Sequence, residues 1–238
     1  MARIQIGYEP VERPVELLVC FAVREEARFF IEQMVYVRDP KSKEPPRHPI
    51  YEICITGMGR RNAVEGIRKA IATTQPKLVI TSGFAGGLNP ALKFGTVVYE
   101  EDSDAGFGPQ LEEAGAVRAT FYCHRRVAIT AAEKSGLWKS TGVDAVEMES
   151  SVIRAICREQ RIPSATVRVI SDDAGQDLPL DFNAMMTSED RIHYPKLIRA
   201  VLSRPGRIVK LMEFQRQTVE ASRRLGTALA RLLRTKRS

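Results

Sequence analysis

The sequence predicts a single-domain, three-layer α/β/α fold with a helical C-terminal extension, and three observations carry that prediction. Continuous apolar runs alternate with amphipathic stretches, the pattern of a sheet covered on both faces by helices. The 238 residues, 44% hydrophobic and 27% charged, have ordinary globular composition and the length of one large α/β domain. Glycine turns stand directly after two of the apolar runs, where open α/β sheets bind their ligands. A chain this long buries roughly 70 to 75% of its unfolded surface, so its core requires neither a disulfide scaffold nor a structural metal.

In chain order, residues 17–23 read as the first strand and 25–36 as a helix, followed by a polar, proline-bearing turn at 41–49. Residues 50–56 form the next strand, closed by Gly57-Met58-Gly59, and 62–73 show helical spacing at Val64, Ile67 and Ile71. A third strand, 78–81, enters a glycine loop, Gly83-Phe84-Ala85-Gly86-Gly87-Leu88, and 96–99 makes a fourth. The acidic, glycine-rich stretch 101–118 reads as loop, and 121–129 as one or two strands. Thr130-Ala131-Ala132-Glu133 is a capping box that opens a helix running to 139. Buried strands at 143–148 and 165–170 flank a helix at 149–160, and beyond Asp181 the chain is helical to its end. No repeat, linker or second core interrupts it, so one domain spans 1–203 and a basic amphipathic helix spans 204–238.

The net charge is +7, and its placement says more than its size. From Arg204 onward there are ten basic residues and two acidic ones, a net of +8, which leaves 26 basic and 27 acidic residues, a net of −1, for the body. A near-neutral body is not a nucleic-acid surface. The four cysteines, Cys20, Cys54, Cys123 and Cys157, stand among apolar neighbours without metal-ligand spacing, so they read as free thiols in a reducing compartment. Three histidines, none four residues apart, give no metal site. The longest apolar run, 17–23, is too short to cross a bilayer and the start has no leader-like apolar segment, which places the protein in the cytoplasm.

Three constellations could carry chemistry. The two glycine turns let backbone N–H groups approach a ligand, but their spacing fails the dinucleotide fingerprint, since Asn62 stands where the third glycine belongs. At Val146-Glu147-Met148-Glu149-Ser150 two carboxylates flank a methionine at a strand-to-helix junction, and strand alternation would turn Glu147 and Glu149 the same way. Taken alone, such a pair reads more readily as acids balancing a helix N-terminus. Arg168-Val169-Ile170-Ser171-Asp172-Asp173 is an apolar strand that ends in a hydroxyl and two carboxylates, as a strand delivering acid/base groups to a cleft would.

In order and spacing these elements, with Ala22-Val23-Arg24-Glu25-Glu26-Ala27, resemble the superfamily of nucleoside phosphorylases and methylthioadenosine/S-adenosylhomocysteine nucleosidases, over about residues 17 to 175. The segment from Ser203 and the arginine-rich helix after it are similar to the hopanoid-associated phosphorylase branch, which acts on adenosylhopane, a lipid-linked adenosine. The resemblance implies a central mixed sheet, cleavage of a purine N-glycosidic bond, no cofactor beyond phosphate as a co-substrate, and a homo-oligomer. It implies Asp172 as the acid at purine N7 and Glu26 as the base that activates water. It puts Glu149 on the ribose hydroxyls, Met148 against the sugar, and Glu147, Gly86, Phe84, Arg168 and Ser171 at the substrate site. A carboxylate accepts from two vicinal hydroxyls and a thioether packs on a sugar, so the residue types suit those roles.

Two departures bear on the nucleophile. Phe84 stands where the family has a small hydroxyl or thiol residue, and Thr81 and Ser82 occupy the segment of the phosphorylases' arginine. Phosphorolysis would then need Arg24, Arg28, Arg60 or Arg61 to hold the anion, whereas Glu26 favours hydrolysis. No base-recognition residue follows from the resemblance. A nucleoside-binding protein without turnover is the rival that Phe84 supports and Glu149 and Asp172 oppose. Leu211, Phe214, Thr218, Ala221, Leu225, Ala228 and Leu232 form a helical stripe flanked by Lys210, Arg216, Arg223, Arg224 and Arg231. Its plain reading is a helix packed on the body with a solvated basic side; its sharper reading is a peripheral helix on anionic lipid. The sharper reading expects removal of 207–238 to leave turnover of a soluble substrate intact.

Overall fold

The computed structural model describes residues 15–35, 51–185, 187 and 208–235. Its elements in chain order are β1 (Leu17–Phe21), α1 (Arg24–Val35), β2 (Tyr51–Ile55), α2 (Gly59–Thr74), β3 (Leu78–Gly87), β4 (Val97–Glu101), α3 (Gly108–Glu113) and β5 (Val117–Arg118). There follow β6 (Phe121–Cys123), α4 (Ala131–Thr141), β7 (Ala145–Glu147), α5 (Ser150–Glu159), β8 (Ser164–Asp172), α6 (Phe182–Met185) and α7 (Ile208–Thr235). The turn expected at 41–49 and the segment from Ser203 to Arg207 lie outside the described residues.

The sheet is mixed, as expected, in the order β2-β1-β3-β8-β4-β5, with β7 joining β3 and β6 joining β7. β1, β2, β3 and β8 run parallel; β4 is antiparallel to β8 and β7 to β3. All five residues of β1 are buried because helices cover both faces. Leu17, Val19 and Phe21 face one layer with Phe30 of α1 and Leu111 of α3, whereas Leu18 and Cys20 face another with Ile67 of α2 and Ile153 of α5.

Three sequence expectations are corrected. The stretch 83–88 is not a loop up to Gly87: β3 continues through it because β8 pairs along one edge and β7 along the other. Residues 101–118 contain α3 and β5, Pro109 standing in the first helical turn where its missing N–H costs nothing. Of 121–129 only Phe121–Cys123 forms a strand.

The C-terminal helix is core. Ala221, Leu225, Ala228 and Leu232 of the stripe, with Leu229 and Leu233, are buried in the same cluster as β1 and α1. Gly226 lets α7 cross α1 closely, since a Cβ there would lie 2.6 Å from the Phe30 nitrogen. Part of the basic flank is committed locally: Arg223 and Arg224 pair with Glu220 and stack on Phe29 and Phe94. Removal of the tail would strip this buried face from the core, against the expectation that it can be spared. Among the described residues no helix is long and apolar enough to cross a membrane.

Candidate active site

The site forms where β3 runs on past the end of β1 with β8 still beside it. Gly83 has φ +147°, and a Cβ there would stand 2.6 Å from both Arg168 Nη1 and Glu26 Oε1, so only glycine admits the two side chains. Between Ala85 and Gly86 the register against β8 slips: Ala85 faces Ile170 and Gly86 faces Asp172. Consecutive strand residues normally point to opposite faces, and this irregularity lets Ser171 and Asp172 both reach the cavity.

At one end, Glu26 in the first turn of α1 accepts hydrogen bonds from the amides of Ala22 (3.0 Å) and Val23 (3.2 Å) on Oε2 and from that of Phe84 (2.9 Å) on Oε1. Arg168, fully buried on β8, donates to Glu147 Oε2 at 2.7 Å and Thr81 Oγ1 at 3.2 Å, and lies 3.8 Å from Glu149. Glu149 accepts from the Gly59 amide at 2.9 Å, which ties the turn Gly57-Met58-Gly59 to the end of β7. Burial raises the Glu26 carboxyl, Arg168 and the three amides only partly opposing it. Burial likewise pushes Glu149 up to about 7, helped by the charges of Glu147 and Glu26 and opposed by Arg168. Glu147 is also raised by burial, but Arg168 and the Ser150 and Glu149 donors outweigh this and hold it below the usual carboxylate range.

Glu147 is committed to structure. Its oxygens accept from the amides of Glu149 and Ser150 and from Ser150 Oγ, at 2.7 to 3.0 Å, which caps α5. β7 ends at Glu147 and the chain turns into α5, so strand alternation does not run on to Glu149, yet both carboxylates approach Arg168 Nη2, at 2.7 and 3.8 Å.

At the other end, Asp172 Oδ1 accepts from Ser171 Oγ at 2.6 Å, and Oδ2 is in an ion pair with Lys134 Nζ. Gly86 opens the floor: a Cβ there would lie 3.3 Å from Asp172 Oδ2. Along β3, two residues separate the Phe84 amide that holds Glu26 from the glycine facing Asp172, roughly 7 Å.

A cavity of about 270 Å³ joins these ends. Glu26, Phe84, Gly86, Glu147, Met148, Glu149, Ser171 and Asp172 all line it, and Arg168 stands behind the carboxylates. Its remaining wall, unforeseen from the sequence, is mostly apolar, with Met58, Val127, Leu178, Phe182 and Phe214 beside Arg126 and Thr218. Phe214 belongs to the helical stripe, whose period showed a buried face without showing what it faces. Arg24, Arg60 and Arg61 are exposed and line no part of it, and Arg28 pairs with Glu32 at 3.0 Å. Chemically, two buried carboxyls of raised proton affinity face a third across a sugar-sized gap, an arrangement suited to acid/base work on one bond.

Residues 116–203 match the Phosphorylase superfamily. A 5'-methylthioadenosine/S-adenosylhomocysteine nucleosidase of Glaesserella parasuis is 28% identical over 193 residues, covering 63% of this chain and 84% of that protein. Futalosine hydrolase of Helicobacter pylori has the same fold, with a TM-score of 0.65 at 14% identity over 93% of this chain and 98% of that one. The 5'-methylthioadenosine/S-adenosyl homocysteine nucleosidase of Campylobacter jejuni gives 0.65 at 14% over 93% and 99%. Over residues 116–203 the chain is thus similar to the Phosphorylase superfamily, and over most of its length it shares the fold of these solved proteins.

Proposed function

We propose that this protein hydrolyses the N-glycosidic bond of a 5'-substituted adenosine, with Glu26 activating water and Asp172 protonating the leaving purine. It is a nucleoside-cleaving enzyme, a hydrolase or a phosphorylase. The observation that carries the finer reading is the single cavity with Glu26 and Glu149 at one end and Asp172 at the other. As C1'–N9 lengthens, positive charge grows on the ribose and the purine takes the electron pair, so the base needs a proton and the sugar needs carboxylates near it. Asp172 supplies the first, and Glu149 with the Met148 thioether holds the second. A carboxyl raised by burial, such as Glu26, takes a proton from water more readily than an ordinary one.

Water suits the site better than phosphate. Three carboxylates, Glu26, Glu147 and Glu149, surround the one guanidinium of Arg168, and a phosphate dianion would meet excess negative charge. Arg126, the cation that lines the cavity, pairs with Glu133 at 2.7 Å. Neither a metal nor an organic cofactor is needed. At the 5' carbon, a methylthioadenosine-like substrate fits the apolar wall. The second reading, release of adenine from adenosylhopane, is favoured by that apolar wall and by exposed Val209 and Met212 on α7, which carries Phe214 into the wall and would meet a lipid surface.

The test is to incubate the protein with methylthioadenosine, S-adenosylhomocysteine and adenosylhopane, with and without phosphate, and to separate the products. Adenine released without phosphate supports hydrolysis, and the preferred substrate chooses between the two readings. A sugar 1-phosphate formed only with phosphate overturns water as the nucleophile, and no adenine from any of them overturns the substrate class.

A further inference from the structure

The proposed mechanism leaves one buried ion unused. Lys134 is wholly buried on the first turn of α4, and its ammonium is in an ion pair with Asp172 Oδ2 and donates to the Asp173 carbonyl (2.9 Å) and the Gln176 carbonyl (2.8 Å). We propose that Lys134 is a positioning residue for the glycosidic-bond acid, holding Asp172 from behind and neutralising the carboxylate left when its proton passes to the purine. This rests on the reading of Asp172 given above.

A lysine is a poor structural choice at this place. Burying an ammonium is costly unless it is fully paired, and a cation in the first turn of a helix is opposed by the macrodipole. The helix start is nonetheless rigid around it. Thr130 Oγ1 accepts from the Glu133 amide at 3.1 Å, Glu133 Oε2 from the Ile129 amide at 3.0 Å, and Asp177 Oδ1 from the Ala131 amide at 2.7 Å. Local preference violated inside an otherwise well-capped helix marks a residue kept for its site. The two carbonyls belong to the turn just beyond β8, so one side chain fixes both the acid and the backbone that follows it. Gly86 keeps room for the pair, a Cβ there falling 3.8 Å from Lys134 Cε.

Lys134 lines no part of the cavity and acts through Asp172. In the reaction the C1'–N9 electron pair goes to the purine and N7 takes a proton that Asp172, ion-paired with Lys134 in the free protein, has first drawn from solvent, so that a neutral carboxyl returns to the carboxylate. That new charge forms against a pre-placed cation, an interaction stronger in the transition state than in the ground state. Ser171 on Oδ1 and Lys134 on Oδ2 fix the orientation of the carboxyl at the edge of the cavity.

The experiment compares Asp172→Asn, Lys134→Met, Lys134→Arg and the Asp172→Asn/Lys134→Met double variant on an adenosine substrate and on a nitrophenyl riboside, whose leaving group needs no proton. Lys134→Met should lower kcat on the adenosine substrate about 10- to 1000-fold, with KM changing little, and should cost the riboside less than about tenfold; Lys134→Arg should recover part of the loss. The double variant should be no slower than Asp172→Asn. Equal loss on both substrates, or a double variant about tenfold or more below Asp172→Asn, overturns the inference. If Lys134→Met does not fold because a carboxylate is left bare, the comparison of Asp172→Asn with the double variant decides, since it buries no unpaired charge. Undiminished turnover of Asp172→Asn overturns the acid assignment and this inference together, whereas a normal Lys134→Met beside a damaged Asp172→Asn overturns only the role of Lys134.

Discussion

Replacing Arg168 by Met should destabilise the protein in a pH-dependent way whose sign follows from its neighbours. Arg168 is fully buried, 2.7 Å from Glu147 and 3.8 Å from Glu149, and its charge opposes the burial that raises Glu26, Glu147 and Glu149 alike. Removing one partner of a buried pair leaves an uncompensated charge and costs about 3–5 kcal/mol. At about 2–4 °C per kcal/mol for a chain of this size, the expected fall in Tm is about 6–20 °C at pH 8. The loss should shrink at pH 5. Glu149, pushed up to about 7, is largely neutral there, the shift of Glu26 is in the same direction, and Glu147, held low, still needs the guanidinium. Thermal unfolding of the natural protein and Arg168→Met, followed by circular dichroism at pH 5, 6.5 and 8, measures this directly. A destabilisation equal at the three pH values, or larger at pH 5, would refute the account of Arg168 as the counter-charge of the cluster. Arg168→Lys keeps the charge without the planar fork and should recover only part of the stability.

Glu149→Gln should separate stability from function. A carboxyl raised on folding contributes stability below the ordinary carboxylate range that is lost as pH climbs towards the folded value, here from 4.5 to about 7. The variant lacks that loss, so its Tm should exceed that of the natural protein at pH 8 by the equivalent of about 3 kcal/mol at most, the gap closing near pH 4.5; turnover should fall on adenosine and nitrophenyl substrates alike, since both carry the ribose. An unchanged gap between pH 4.5 and 8 would count against the burial argument. Deleting 208–235 should abolish folding rather than spare a soluble-substrate activity. The four buried leucines Leu225, Leu229, Leu232 and Leu233 alone contribute about 1.5–3 kcal/mol each, comparable to the whole stability of a domain. A cooperative melt from the truncated chain would show the reasoning to be wrong.

The sequence by itself determined the alternation of strands and helices, because a sheet covered on both faces requires uninterrupted apolar runs such as Leu17–Phe21. It also determined the capping of α4, because Thr130 and Glu133 act over three residues. The stripe on α7 was readable for the same reason: period 3.6 is local. Glu26, Glu149 and Asp172 were legible as strand-end or helix-start carboxylates in a recognisable order, although nothing local says that they share a cavity. Only the tertiary structure decided that Gly83 to Gly87 is strand, since the pairing partners β7 and β8 lie some sixty to ninety residues away along the chain. It turned Glu147 into a cap for α5 and set Arg168 among three carboxylates. It also brought Lys134 to Asp172 across 38 positions of sequence. A lysine one place after a capping glutamate looks like surface charge. Its burial depends on what packs over α4, and packing is set by distant residues, whereas propensity, capping and periodicity are set by near ones.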